Sequence, residues 1–277
     1  MLTHLRRAAS IGAVVLSPSL GPAGCALRPV SIPVVSYRPL RSATLEEVLA
    51  AHESYCKSIE TFNASGDLEV RDLRAGKQRR LGVRLLAARG GRLYLKGSVA
   101  VVTAVEITAD GDRFWFVVPS KKTVWTGGAA SNPRAEDEKA PYYALRPSDV
   151  VSALIPEPLA PGEQDTLVLD ADGESFSLTL ARVKRGHGVA RRRVWLDRET
   201  LRPMRSRRYD DGGDLLSEVT LGDWQGGSPH RVLVARPRDG YEAAFFLDEV
   251  KVSAPVPAHV FAPRIPEDYR LVEVDDP

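Results

Sequence analysis

Apolar and polar residues alternate with a period of two along most of the chain. Leu81, Val83 and Leu85 fall on one side, and Arg80, Gly82 and Arg84 on the other. Phe176, Leu178 and Leu180 alternate with Ser175, Ser177 and Thr179, and Ala243, Phe245 and Leu247 repeat the pattern near the C-terminus. A strand sends successive side chains to opposite faces, so the pattern predicts antiparallel sheet with one buried and one wetted face. Roughly ten or eleven such segments lie between Phe62 and Val252, at the spacing of a barrel or sandwich. Asp-Gly pairs at Asp110-Gly111, Asp172-Gly173, Asp211-Gly212 and Asp239-Gly240 predict tight turns of type I′, whose two central residues need positive φ.

Two segments change to a helical period. Thr44 and Glu47 are spaced as a capping box, and Leu45, Val48, Leu49, His52, Tyr55, Cys56 and Ile59 then share one face. On such a stripe His52 and Cys56 read as a satisfied histidine and a buried thiol against the sheet. The second helix is expected from Ser148 or Asp149, carrying Val150, Val151, Ala153, Leu154 and Ile155 until Pro156 stops it. A helix so apolar needs a hydrophobic surface to lie on, or a cavity mouth to close. Residues 129–141 (AASNPRAEDEKAP) read as a mobile polar loop.

The N-terminus has another character. His4, Arg6 and Arg7 precede an apolar run, Ala8 to Leu16, well short of the ~18 residues that span a bilayer. This is the build of a secretory signal peptide. Pro22-Ala23-Gly24-Cys25 resembles the lipobox of bacterial lipoproteins, with Pro22 where that family usually has Leu, Val or Ile. It would make Cys25 the acylated, palmitate-bearing first residue of the mature chain. The rival cut, after Ala26, would leave a soluble periplasmic protein. The expected organisation is a signal peptide over 1–24, a Pro-rich tether over 25–43 and one domain over 44–277.

Composition sets limits on partners. The formal charge is +2 with five histidines and two cysteines, which implies no large global field. With Cys25 acylated, Cys56 has no intramolecular partner; unlipidated, a Cys25–Cys56 bridge is conceivable. Arg182 to Arg208 is arginine-rich, and Arg191, Arg193, Arg205 and Arg207 are candidates for a basic surface facing anionic head groups or an acidic partner. The plainer reading is a solvated face balanced by acids elsewhere. Nucleic acid is not expected, because no basic stripe is interleaved with stacking aromatics. No G-x-S-x-G, H-E-x-x-H, P-loop or G-x-G-x-x-G occurs and no histidines share metal-ligand spacing, so no catalytic residue, metal or cofactor is expected.

Four segments taken in order carry a resemblance: Ser58–Gly66 (SIETFNASG), Val194–Leu215 (VWLDRETLRPMRSRRYDDGGDL), Glu218–Trp224 (EVTLGDW) and Val260–Val274 (VFAPRIPEDYRLVEV). Their order resembles that of the bacterial lipoprotein-localisation superfamily, the LolA/LolB-like proteins, over about Leu45 to Val272. The resemblance implies a mainly β, α+β fold: an unclosed antiparallel β-barrel with covering helices and an apolar cavity. The implied function is an outer-membrane lipoprotein facing the periplasm, not an enzyme, that binds acyl chains of lipid or lipoprotein as a LolB-like receptor or carrier. Ala26 is compatible with outer-membrane sorting. In that frame Val150, Val151, Leu154 and Ile155 are the candidate lid. Phe114, Phe116, Phe176, Leu178 and Phe245 are candidate cavity lining. Val99 takes the place of the exposed leucine on the receptors' protruding loop, unless it begins a buried strand with Val101. The same fold would also serve an envelope sensor that binds a protein partner without moving lipid.

Overall fold

The computed structural model describes residues 40–129, 131, 145–184 and 186–274. The expected signal peptide, Cys25, the tether up to residue 39 and most of the 129–141 loop lie outside them.

Helix α1 (Leu45–Ser58) begins as its spacing predicts. The Thr44 Oγ1 accepts from the Glu47 backbone N–H at 3.3 Å, and the Thr44 N–H donates to Glu47 Oε2 at 2.8 Å. Six strands then run as a meander: β1 (Thr61–Asp72), β2 (Lys77–Ala88), β3 (Arg92–Val99), β4 (Val102–Asp110), β5 (Arg113–Val118) and β6 (Thr123–Gly128). Helix α2 (Pro147–Leu154) follows, with Pro147 at its first turn, where a missing N–H costs nothing. A second meander comprises β7 (Asp165–Ala171), β8 (Ser175–Lys184), β9 (His187–Asp197), β10 (Pro203–Tyr209), β11 (Leu215–Gln225), β12 (Ser228–Arg236) and β13 (Tyr241–Val252). Strand β14 (Arg270–Glu273) pairs in parallel with β6.

All fourteen strands among the described residues form one sheet, ordered β14-β6-β5-β4-β3-β2-β1-β13-β12-β11-β10-β9-β8-β7. The two meanders meet along β1–β13, and the sheet does not close, since β14 and β7 are its edges. The strand count exceeds the expected ten or eleven. Strand β14 lies beyond Val252, and β9 and β10 are so rich in arginine that their alternation is hard to see. At the seam Gly66 (φ 155°) sits at a register shift, and a Cβ there would lie 2.1 Å from the Phe246 carbonyl oxygen. A bulge of this kind bends a strand and adds twist, which curves the sheet.

The Asp-Gly pairs do mark turns, but not of type I′. None of the four aspartates has positive φ. Asp110 Oδ1 instead accepts from the N–H groups of Asp112 and Arg113, both at 2.9 Å. Asp172 Oδ1 does the same for Glu174 and Ser175. The side-chain oxygen shapes the turn, as aspartate commonly does.

The apolar residues form two clusters. The larger takes the inward side chains of β1–β5, β12 and β13 and the apolar face of α2. The smaller packs Val48 of α1 and Leu159 against Phe176, Leu178, Val194 and Leu196 of β8 and β9. Phe114, Phe116 and Phe245 are buried within the first cluster, Phe176 and Leu178 within the second.

Candidate functional site

The register of β8–β12 lays two rows of residues across one face of the sheet. One runs Leu178–Val194–Ser206–Val219–Val234, each residue directly opposite the next. The other runs Leu180–Arg192–Arg208–Ser217. Above them lie Asp149 and Ser152 of α2 and the connection from Glu157 to Ala160. Together these elements border a cavity of about 810 Å³ that is open to solvent, walled also by Asp165, Arg182, Arg191, Tyr209 to Gly212 and Leu216.

Its apolar wall includes Leu180, Leu216, Val219 and Val234; its polar wall is dense in charge. Most of the acids are paired. Asp149 meets Arg236 at 2.8 Å, Asp165 meets Arg182 at 3.0 Å, Asp210 meets Arg238 at 2.6 Å, and Asp211 meets Arg191. The hydrogen bond from Arg182 holds the Asp165 carboxyl below the usual carboxylate range. Arg192 is part-buried, and burial holds its guanidinium below the usual arginine range.

The cavity is not where sequence reasoning put it. The five candidate lining residues fill the two clusters, and the cavity wall is made by others. Phe245 and Phe246 show why adjacent aromatics could not both face inward: Phe245 is buried, while Phe246 faces outward beneath Arg231 at 5.8 Å. Of the candidate lid, Val150, Val151, Leu154 and Ile155 are all buried in the larger cluster. Helix α2 borders the cavity through Asp149 and Ser152 instead. It is also anchored: Asp149, only 5% exposed, accepts from Arg236 and from the Tyr241 hydroxyl at 3.1 Å. The adjoining Arg146 and Arg236 both meet Asp239, at 2.9 and 2.6 Å.

The candidate basic surface separates into two parts. Arg191 lines the cavity and pairs with Asp211. Arg193, Arg205 and Arg207 gather over the Trp195 ring at 4.8, 5.7 and 5.3 Å, and the last two share Glu218. Cation–π contact and ion pairing thus satisfy much of that charge locally.

Val99 ends β3, and with Ala100 (φ 52°), Val101 and Val102 it forms an exposed hairpin tip. Val101 is 96% exposed, more than Val99 at 57%, so the alternative of a buried strand starting there does not hold.

His52 and Cys56 lie together under α1, with Sγ 3.7 Å from Nε2. Burial pushes the His52 imidazole down to about 4 and the Cys56 thiol up to about 11. Both neutral forms are favoured, the reverse of what a nucleophilic thiolate requires.

Arg192 and Arg208 are the residues that sequence reasoning passed over, noting them only within a basic run. A signal was present: Arg192 is in phase with Val194 and Leu196, so a charge occupies a position that the alternation marks as inward.

No protein-family model and no curated protein matches the chain. Among solved structures, it is similar to a LolA superfamily protein from Nitrosomonas europaea (12% identity, 80% of this chain and 99% of that one, TM-score 0.49). It is similar also to a DUF1329 family protein from Desulfovibrio piger (13% identity, 79% and 98%, TM-score 0.49). A third is a domain from Vibrio parahaemolyticus named for outer membrane lipoprotein sorting (14% identity, 78% and 94%, TM-score 0.46). No helix among the described residues is long and apolar enough to cross a membrane.

Proposed function

We propose that this chain is an exported lipoprotein, anchored to the outer membrane through Cys25 and facing the periplasm, that binds acyl-bearing lipid or lipoprotein as a LolB-like receptor or carrier. The observation that carries the reading is the cavity of about 810 Å³ beneath α2, with Leu180, Leu216, Val219 and Val234 on its wall. Its size lies in the range of pockets that enclose small ligands, ~300–1,000 Å³. Acyl chains leave water at about 0.8 kcal/mol per buried CH₂, so even a partly apolar wall gives a useful hold. The valine tip of the β3–β4 hairpin gives the domain an apolar point with which to touch a membrane. The reading has no catalytic step, in keeping with the neutral His52–Cys56 pair.

The test is mass spectrometry of the protein purified from its native membrane, intact and after denaturing extraction. A mature chain that begins at Cys25 with added acyl mass, and that releases lipid or acylated peptide on denaturation, is the expected result. A chain beginning at Leu27 without acyl mass overturns the anchor. Only protein released, with no lipid, favours a second reading: an envelope sensor with a protein partner. The observation that favours this alternative is edge strand β7, which has a strand neighbour on one side only among the described residues and whose Val168 is 49% exposed.

A further inference from the structure

Two like charges face each other in the cavity, and among the described residues neither is held in an ion pair. Arg192 of β9 and Arg208 of β10 are directly opposite in the strand register, and both line the cavity wall. Like charges placed so across neighbouring strands repel each other. Among the described residues neither guanidinium makes an ion pair or hydrogen bond, and the Arg192 Nε is buried without a partner. Every other cavity arginine has its own aspartate. Of the lining acids, Glu157 alone has no ion pair; it is exposed, and its charge favours Arg192 without a salt bridge between them. A buried polar group left without a partner is costly, and an unpaired buried cation more so. Such an arrangement is relieved when a dianion or diester bridges the two forks, since guanidinium groups match phosphate oxygens bidentately.

We propose that Arg192 and Arg208 form the seat of a phosphate group inside the cavity, so that the ligand is a phosphate-bearing amphiphile whose tail follows Leu180, Val219 and Val234. The tail rests on the acyl-binding reading above; the seat does not. Arg208, exposed at the mouth, meets the anion first, and Arg192 holds it from below. Ser217, opposite Arg208 and buried, supplies a hydroxyl on the same row. The paired acids around the seat are neutralised by their own arginines and do not oppose an incoming anion.

The experiment is titration calorimetry of the full chain with three probes below their micelle concentrations: decyl phosphate, inorganic phosphate and decyl maltoside. Wild type, Arg192→Gln and Arg208→Gln are compared. The expected result is that decyl phosphate binds most tightly and that each substitution weakens it by about tenfold, the scale of one charge-assisted contact. Decyl maltoside binding should be the same in all three proteins. Arg208→Gln keeps its fold because the side chain is exposed, so its result stands even if Arg192→Gln is unstable. If inorganic phosphate binds as tightly as decyl phosphate, with the same arginine dependence, the seat is supported and the acyl reading fails. If decyl maltoside and decyl phosphate bind equally and neither substitution matters, the seat is overturned and the acyl reading survives. No binding of either phosphate overturns the seat as well.

Discussion

Replacing Asp149 by alanine should loosen α2 far more than the loss of one surface charge would. The carboxylate accepts from Arg236 Nη1 at 2.9 and 2.8 Å and from the Tyr241 hydroxyl at 3.1 Å. The side chains of Asp149 and Arg236 are 5% and 12% exposed, so solvent cannot take the place of what is lost. Removing one partner of a buried pair costs ~3–5 kcal/mol, because the other charge stays buried. Asp239 still meets Arg236 at 2.6 Å, which places the expected loss at the lower end, ~3 kcal/mol. For a domain of this size that is a fall of roughly 6–12 °C in Tm. Tyr241→Phe, which removes the hydroxyl's bond to Asp149 and the longer one it accepts from the Arg146 N–H at 3.4 Å but leaves the ion pair, should cost only ~1–2 kcal/mol. The assay is thermal and urea unfolding followed by tryptophan fluorescence. The paired replacement Asp149→Leu with Arg236→Met should recover much of the loss, since no orphaned charge remains. If Asp149→Ala is no worse than Tyr241→Phe, the network does not hold α2.

Stability should fall as the pH drops from about 6.5 towards 4. The unfolded His52 takes up a proton near 6.5 while the folded one, held down to about 4 by burial, does not, so acid favours unfolding across that window. The loss is ~2–3 kcal/mol, and His52→Gln should flatten the slope in pH-dependent urea titrations. Gly66→Ala should destabilise by at least ~2 kcal/mol, because the new Cβ meets the Phe246 carbonyl at 2.1 Å on a backbone with φ 155°; a melting curve close to wild type would mean that the bulge is not required. Val101→Asp should leave Tm within about 1 °C, as an exposed position predicts, while co-sedimentation of the full chain with anionic vesicles drops; unchanged co-sedimentation would remove the hairpin tip from membrane contact.

The sheet was legible because its signal is local. Leu81, Val83 and Leu85 are buried while Arg80, Gly82 and Arg84 are exposed, as alternation requires. The capping box fixed the start of α1 to the residue. What alternation cannot tell is which of two apolar regions is filled and which is hollow. Phe116 and Leu180 obey the same period, yet one is buried in a core and the other borders a cavity. That difference comes from pairing β9 with β10 and from α2 packing on β12, long-range contacts with no sequence period. Ser175 and Ser177, on the expected wetted face, are buried for local reasons: Asp172 holds the first, and Arg193 covers the second. The lid expectation followed from the apolarity of α2. The same apolarity drives that helix into the core, and only Asp149 and Ser152 hinted at a second surface.

The seam between the meanders also constrains the order in which the protein can be made. Phe62 pairs with Val252 and Asp72 with Tyr241, so β1 finds its second neighbour only once β13 has been made, after every strand of the second meander. Helix α1 waits as well, since its Val48 packs on β8 and β9. Until then the first meander carries an open β1 edge, able to pair with another chain. Contacts this distant in sequence slow folding. A chain emerging N-terminus first therefore spends its most vulnerable period with six strands formed and their lateral partner still unmade, and a truncation before Tyr241 would hold it there permanently.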